Sequence, residues 1–164
     1  MKILVVSDTH GKDENLEKVL EMEKPLDALV HCGDIEGRED YIAAVAECPV
    51  YLVAGNNDFF SDLDREMVTE LGGRKVLITH GHFYRVSLDF GLLVDEALDR
   101  AVDVVLFGHI HKPVCQTERG VLLINPGSLS YPRQEGRKPS YAVIQAESGG
   151  RFACEIRYLK RRKN

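Results

Sequence analysis

The first third of the chain alternates short, mostly apolar runs with segments of helical spacing. Runs over residues 3–6, 28–31 and 50–53 have the length of buried strands. Between them, apolar residues recur every three or four positions from Glu14 to Met22 and again around Ile42, and each segment stops before a proline. Strand, helix, strand, helix, strand with short connections predicts a parallel sheet.

The remainder of the chain changes character. A strand is predicted over residues 75–79, a helix over 90–101 and another strand over 104–107. Short β-rich runs separated by turn residues then follow at residues 114–117, 121–124, 141–145 and 152–158. These runs favour an antiparallel second sheet. Because there is no internal repeat or low-complexity linker, residues 1–164 are predicted to form one domain with two packed sheets.

Composition and charge limit the class of protein. With 44% hydrophobic and 29% charged residues, the chain resembles an ordinary globular protein. A formal net charge of −5 argues against a general nucleic-acid binder, which would present a basic face. The tail Lys160-Arg161-Arg162-Lys163 leaves a local basic patch open, although a solvated chain end is the simpler interpretation.

The cysteines and the apolar stretches indicate a compartment. No C-x-x-C pair occurs, and Cys32, Cys115 and Cys154 lie in or beside apolar runs, where a free cysteine behaves as a small buried hydrophobe. We therefore expect structural thiols in a reducing compartment. The four are Cys32, Cys48, Cys115 and Cys154. Only four apolar residues follow Met1-Lys2, too few for a signal-peptide core, and no stretch reaches the roughly 18 apolar residues of a membrane helix. We therefore expect a cytoplasmic protein that does not bind membranes.

Side chains that bind metals follow each predicted strand of the first 111 residues. Ligands bind beyond the carboxyl ends of the strands in an open parallel sheet, so we expect these side chains at one edge. In chain order they are Asp8, His10, Asp34, Asn56, His80, His109 and His111. Two carboxylates, one amide and four imidazoles are too many for one ion and suit two ions that share a carboxylate.

Spacing supports the same interpretation. Asp8 and His10 are two positions apart, and so are His109 and His111. In extended backbone, alternate side chains point to the same side, so the two members of each pair point to one side. A glycine adjoins most of the proposed ligands and allows a sharp turn there. Taken singly, each residue has another explanation, since Asp8 can cap the first helix and Asn56-Asn57 can form a turn. Seven such residues in this order favour a metal site.

These blocks resemble a known family. Asp8-Thr9-His10, Gly33-Asp34, Gly55-Asn56-Asn57-Asp58, His80-Gly81-His82 and Gly108-His109-Ile110-His111 are similar to the motifs of the calcineurin-like metallophosphoesterase superfamily. Asn125-Pro126-Gly127-Ser128 resembles its YfcE-like branch. The resemblance implies an α/β fold, a four-layer αββα sandwich of two mixed sheets. It also implies Asp8, His10 and His111 on one metal, Asn56, His80 and His109 on the other, and Asp34 shared.

The ligand types and the resemblance together predict an activity. Two ions about 3.5–4 Å apart can hold a bridging hydroxide as the nucleophile, with no covalent intermediate. Oxygen and nitrogen ligands without thiolate favour Mn²⁺ and admit Fe²⁺, Co²⁺, Ni²⁺ or Zn²⁺. We therefore expect a phosphodiesterase for a small phosphate ester, with Asp34, Asn56 and His109 acting through the metals. A phosphomonoesterase, a nuclease or a non-catalytic scaffold of the retromer-subunit type remains an alternative, and a homodimer or homotetramer is compatible with the sequence.

Asn57 departs from the pattern of many relatives, which carry a histidine at this position. The resemblance assigns that histidine to protonating the leaving group or to stabilising the transition state, with Asp58 orienting it. Asparagine cannot act as an acid at physiological pH. The sequence therefore leaves open what Asn57 and Asp58 do in catalysis.

Three other residues are candidates for a role near the centre. His82 lies two residues after His80, where contact with the substrate and support of a ligand are both open. Arg85 and Arg133 are candidates for a phosphate clamp, because a guanidinium group matches phosphate bidentately. Solvation at the surface is the competing interpretation for both. His31 is expected to pack or bond within the core.

Overall fold

The computed structural model describes residues 1–160, within which it contains ten strands and three α-helices. In chain order the first half comprises β1 (Lys2–Val6), α1 (Glu14–Glu23), β2 (Ala28–His31), α2 (Glu39–Val45), β3 (Val50–Leu52), β4 (Glu66–Leu71) and β5 (Arg74–Thr79). A 3₁₀ turn over His82–Tyr84 is followed by α3 (Gly91–Asp99), β6 (Val104–Leu106), β7 (Pro113–Glu118), β8 (Val121–Pro126), β9 (Ser140–Ala146) and β10 (Phe152–Tyr158). Residues 161–163 of the basic tail lie outside the described residues.

The strands form two mixed five-stranded sheets, as the fold prediction requires. The first sheet has the order β10-β9-β1-β2-β3, with β1, β2 and β3 parallel, as predicted. The second has the order β4-β5-β6-β8-β7, in which the three central strands are parallel. The prediction that the four last strands form one antiparallel sheet is wrong. β7 and β8 join the second sheet, whereas β9 and β10 pair antiparallel onto the open edge of β1.

Three apolar layers explain why the central strands are apolar on both faces. Alternate residues of β1 point to opposite sides, so Ile3 packs between the two sheets while Leu4 packs under α1 and α2. In β6, Val104 packs between the sheets and Val105 packs against α3. The layers are therefore helices, sheet, sheet and helix, and the predicted αββα order is confirmed.

Strand β4 is absent from the sequence prediction. Its residues mix charged and apolar types because it lies at the edge of the second sheet, where one long side has no partner strand. It pairs with β5 in a hairpin whose loop is Gly72-Gly73. A two-residue glycine loop before a strand is a hairpin signal, and it is the feature that indicates β4 in the sequence.

The cysteines agree with the prediction only in part. All four are free, and Cys32 is fully buried in the core between the sheets. Cys115 is exposed, contrary to the expectation, because it lies on the edge strand β7. Within residues 1–160, none of the helices combines the length and the apolar character that a membrane crossing requires.

Candidate metal centre

The seven candidate ligands come together where the carboxyl ends of strands from both sheets meet. β1, β2 and β3 contribute from the first sheet, and β5 and β6 contribute from the second. The expectation of one edge of one sheet is therefore corrected to a junction of two sheets. Hydrogen bonds across the junction fix it, because His109 N donates to Asp8 Oδ2 over 3.1 Å and His80 Nδ1 donates to Cys32 O over 2.7 Å.

The backbone at the ligands is left-handed. The φ angle is positive at Asp8, His10, Asp34, His109 and His111, with values from 50° to 72°. The prediction that the two-residue pairs converge through extended backbone is therefore wrong. Each such residue costs roughly 1–3 kcal/mol and persists only where the surroundings enforce it. Here the enforcement includes the bond from Asp8 N to Gly33 O, 3.0 Å, and that from His10 N to Asp34 O, 2.9 Å.

One group of donor atoms is formed by Asp8, His10 and His111. Asp8 Oδ1 lies 3.0 Å from His111 Nε2 and 3.7 Å from His10 Nε2. The two imidazole nitrogens are 3.3 Å apart. Within residues 1–160, these three residues form one of two such clusters of carboxylate and imidazole donors, and the other consists of Asp8, Asp34 and His80.

A second group lies beside the first. Asn56 Oδ1 is 2.9 Å from His80 Nε2 and 3.0 Å from His109 Nδ1. Asp34 Oδ2 lies between the groups, 3.5 Å from His80 Nε2 and 3.7 Å from His10 Nε2. Asp34 therefore lies between the two groups, and the assignment of each residue to one of two ions stays a prediction.

Outer hydrogen bonds orient three of the imidazoles. His80 Nδ1 donates to Cys32 O, and His111 Nδ1 donates to Tyr131 O, each over 2.7 Å. Because carbonyl oxygens accept only, the proton lies on Nδ1 in both rings and the Nε2 lone pair faces the centre. His10 Nδ1 is 2.7 Å from Glu36 Oε1, the carboxylate–histidine pairing common behind metal ligands.

The donor set fits divalent metal ions. Asp8 Oδ1 is buried and has no hydrogen bond of acceptable geometry within residues 1–160, although His111 Nε2 is 3.0 Å away. With the His111 proton on Nδ1, lone pairs on this oxygen and this nitrogen face each other, which a cation would resolve. Burial alone would raise the pKa of Asp8, but in the doubly protonated form of His111 the hydrogen bond from its Nε2 and the charges of His80 and His111 outweigh burial and lower the pKa of Asp8 to about 2. The carboxylate is therefore ionised and ready to bind a cation.

Two glycines are required by close packing at the junction. A Cβ on Gly55 would lie 2.1 Å from Asp34 Oδ1 and 2.4 Å from Asp34 N. A Cβ on Gly108 would lie 2.0 Å from Ser7 Oγ and 2.9 Å from Asp8 Oδ2. Neither contact is compatible with a side chain, so only glycine fits at these two positions.

Asn57 and Asp58 hold the other residues in place, a role that the sequence did not indicate. Asn57 donates to Asp34 twice, from its backbone N to Oδ1 over 2.9 Å and from Nδ2 to Oδ2 over 2.7 Å. The Asp58 carboxylate is buried and accepts four backbone N–H bonds of 2.6–2.9 Å. The donors are Asp34, Ile35, Glu36 and Gly55. Asp58 therefore ties the turn after β3 to the turn after β2.

The remaining candidates are distributed unevenly. Burial, with His80 and His109 nearby, lowers the pKa of His82 to about 4, and its ring centroid is 5.4 Å from that of His80. Arg133 lines an open pocket together with His10 and His111. Arg85 is exposed at the end of the 3₁₀ turn and lines neither pocket that borders the centre.

His31 lies deeper, as expected. It is fully buried, and its Nε2 is 3.0 Å from Thr9 Oγ1 while its Nδ1 accepts from Gly33 N over 3.2 Å. Burial lowers the pKa of its ring to about 4, so the ring is neutral at pH 7. Through these two hydrogen bonds it supports the turns after β1 and β2 from the interior of the protein.

Two mixed five-stranded sheets with a cluster of carboxylates and imidazoles at their junction define an α/β protein with a candidate metal centre. A model of the calcineurin-like phosphoesterase superfamily domain matches residues 1–149. The chain is 34% identical over 165 residues to the probable metallophosphoesterase YsnB of Bacillus subtilis, with 100% of this chain and 94% of the relative covered. It is 31% identical over 170 residues to the phosphodiesterase YfcE of Escherichia coli, with 88% and 87% covered.

Solved structures agree. The crystal structure of a predicted phosphoesterase from Streptococcus pneumoniae matches with a TM-score of 0.83 and 34% identity, over 96% of this chain and 88% of that one. Vps29 of Entamoeba histolytica matches with a TM-score of 0.76 at 22% identity, over 98% of this chain and all of the other, which shows a common fold. The chain belongs to the calcineurin-like phosphoesterase superfamily, as its motifs indicated.

Proposed function

We propose that the protein is a phosphodiesterase that uses two divalent ions, with Mn²⁺ as the native metal. The observation that carries the proposal is the pair of donor groups on either side of Asp34. Asp8, His10 and His111 would hold one ion, and Asn56, His80 and His109 the other. Oxygen and nitrogen donors without thiolate suit Mn²⁺.

Two bound ions would activate water and neutralise the charge that develops on the phosphate oxygens. Hydrogen bonds within the chain hold the candidate ligands in position. Asp34 is held by Asn57, and the rings of His80 and His111 are fixed by carbonyl oxygens on their far sides. Arg133 borders the His10 side of the centre and would contact a phosphate oxygen there.

The test is turnover with controlled metal content. Protein stripped by a chelator should not hydrolyse bis(p-nitrophenyl) phosphate, and added Mn²⁺ should restore hydrolysis as two ions bind per chain. Turnover of p-nitrophenyl phosphate, measured in parallel, separates a diesterase from a monoesterase. Full turnover by the metal-free protein would contradict the two-metal proposal, and tight metal binding without any turnover would favour a scaffold.

Asn57→His should improve the hydrolysis of alkyl diesters more than that of nitrophenyl diesters. An alkoxide needs a proton to leave, whereas nitrophenolate does not, and general acid catalysis contributes roughly 10²–10⁴-fold where a proton is needed. The measurement is kcat/KM for both ester types at equal metal content. Asn57→Ala is the control, because it also removes the amide bond to Asp34 but adds no acid. The same gain on both ester types in Asn57→His would show that Asn57 does not mark a missing acid.

Charge and thiol chemistry support the proposed partners and location. A net charge of −5 supports a small phosphate ester rather than nucleic acid as the general substrate. Four free cysteines support a cytoplasmic location. A homodimer or homotetramer stays a prediction, which the mass of the protein in solution would test.

A further inference from the structure

Three phenylalanines are exposed beside the metal centre. Phe59 and Phe60 follow directly on the turn that holds Asn56, and Phe83 follows His82. Their exposed fractions are 78%, 102% and 58%. Exposed apolar side chains are common singly, but aromatic rings grouped at the rim of a polar centre indicate a binding surface.

Phe59 and Phe83 line the same pocket, which opens from the metal centre. The pocket has a volume of about 350 Å³, and Asn56, His82 and Arg65 also line it. The ring of His82 lies near both His109 of the metal centre and Phe83 of the pocket. Its centroid is 6.0 Å from that of His109 and 4.1 Å from that of Phe83. A group attached to a phosphate at the centre would therefore enter the pocket that His82, Phe59 and Phe83 line.

The charge of this pocket distinguishes it from its neighbour. The Arg65 guanidinium lies 5.0 Å from the centre of the Phe83 ring, so this pocket carries a cation next to its aromatic surface. The pocket on the other side of Phe59, which Phe60 also lines, carries the carboxylates of Glu36 and Glu39, whereas the Asp58 carboxylate, which accepts four backbone N–H bonds, lines both pockets. An anionic phosphodiester is repelled by these carboxylates and attracted by Arg65.

We propose that Phe59 and Phe83 form a subsite that stacks a planar aromatic substituent, an aryl or nucleobase group, of the phosphodiester substrate. The proposal rests on the proposed function, because the phosphate must lie at the metal centre for its substituent to enter this pocket. Stacking of an aromatic group on a phenylalanine face contributes specificity without hydrogen-bond readout. The subsite therefore sets a substrate class, aromatic diesters, rather than a particular sequence or sugar.

The test compares phenylphosphonate with methylphosphonate, which share a head group and are not hydrolysed. Binding to the Mn²⁺-loaded protein is measured by calorimetry. The wild type should bind phenylphosphonate roughly tenfold more tightly, since one stacked ring contributes at about that level. Phe83→Ala and Phe59→Ala should lose most of this preference while methylphosphonate affinity stays unchanged. Phe83→Leu, which keeps apolar volume without a flat ring, should lose it as well.

Phe60→Ala is the matched control, since Phe60 is equally aromatic and more exposed but lies on the acidic side of the loop. It should keep the preference for phenylphosphonate. An unchanged preference in both Phe83→Ala and Phe59→Ala would overturn the subsite while the metal centre still bound methylphosphonate. If these variants instead altered only the mass of the protein in solution, the rings would belong to an interface between chains and the subsite would be wrong. Failure of both phosphonates to bind the metal-loaded wild type would refute the proposed function itself.

Discussion

Replacing Asp34 with alanine should reduce hydrolysis of phosphodiesters by at least about 10³-fold. Loss of one group that stabilises transition-state charge typically costs 10²–10³-fold, and Asp34 faces both donor groups. Without this carboxylate, the charge that allows two cations to lie close together is also lost. The measurements are kcat/KM for bis(p-nitrophenyl) phosphate and the number of metal ions per chain.

Two variants make the result specific to Asp34. Asp34→Asn keeps the shape of the side chain but removes its charge, so it should resemble Asp34→Ala in metal content. His10→Ala removes a ligand of only one donor group and should lower metal content less. Two ions per chain in Asp34→Ala would show that Asp34 does not bridge.

Asp58→Ala should strongly reduce the stability of the protein. The substitution leaves four backbone N–H groups of two turns without their acceptor, in a buried setting. Hydrogen bonds to a charged group contribute about 1.5–3 kcal/mol each, and they are not additive. We expect the free energy of unfolding to fall by about 3–5 kcal/mol, which is less than the sum for four unpaired N–H groups at about 1–3 kcal/mol each, because such losses are not additive.

Urea unfolding of the metal-free protein measures this effect separately from metal binding. Asp58→Asn is the control, because its one carbonyl oxygen retains part of the acceptor capacity and the volume is unchanged. Its loss should therefore be smaller. A change of less than about 1 kcal/mol in Asp58→Ala would mean that the turns after β2 and β3 hold their shape without the carboxylate.

The order of the elements and of the ligands could be predicted because both depend on local patterns. Apolar runs such as Ile3–Val6 mark strands buried on both faces, and polar residues directly after them mark strand ends. The partners of the last strands could not be predicted in this way. β9 is as apolar as a central strand of either sheet, and only the open edge of β1 decides where it pairs.

The backbone conformation of the ligands could not be predicted from the sequence either, for a different reason. The left-handed backbone at Asp8 and His10 is unfavourable locally and is imposed by bonds to residues far along the chain, among them Gly33. The anchoring role of Asp58 likewise depends on backbone groups more than twenty residues away. Sequence patterns report the neighbours of a residue, and these contacts are between distant segments.

The position of β9 in the first sheet also fixes the order in which the molecule can be assembled during synthesis. β1 pairs on one side with β2, Ile3 opposite Ala28, and on the other with β9, Ile3 opposite Ile144. All the strands of the second sheet, residues 66–126, leave the ribosome before the strand that closes β1. At that stage the nascent chain already carries every candidate ligand, but one long edge of the apolar strand β1 has no partner. Unpaired strand edges of this kind can associate with those of other chains.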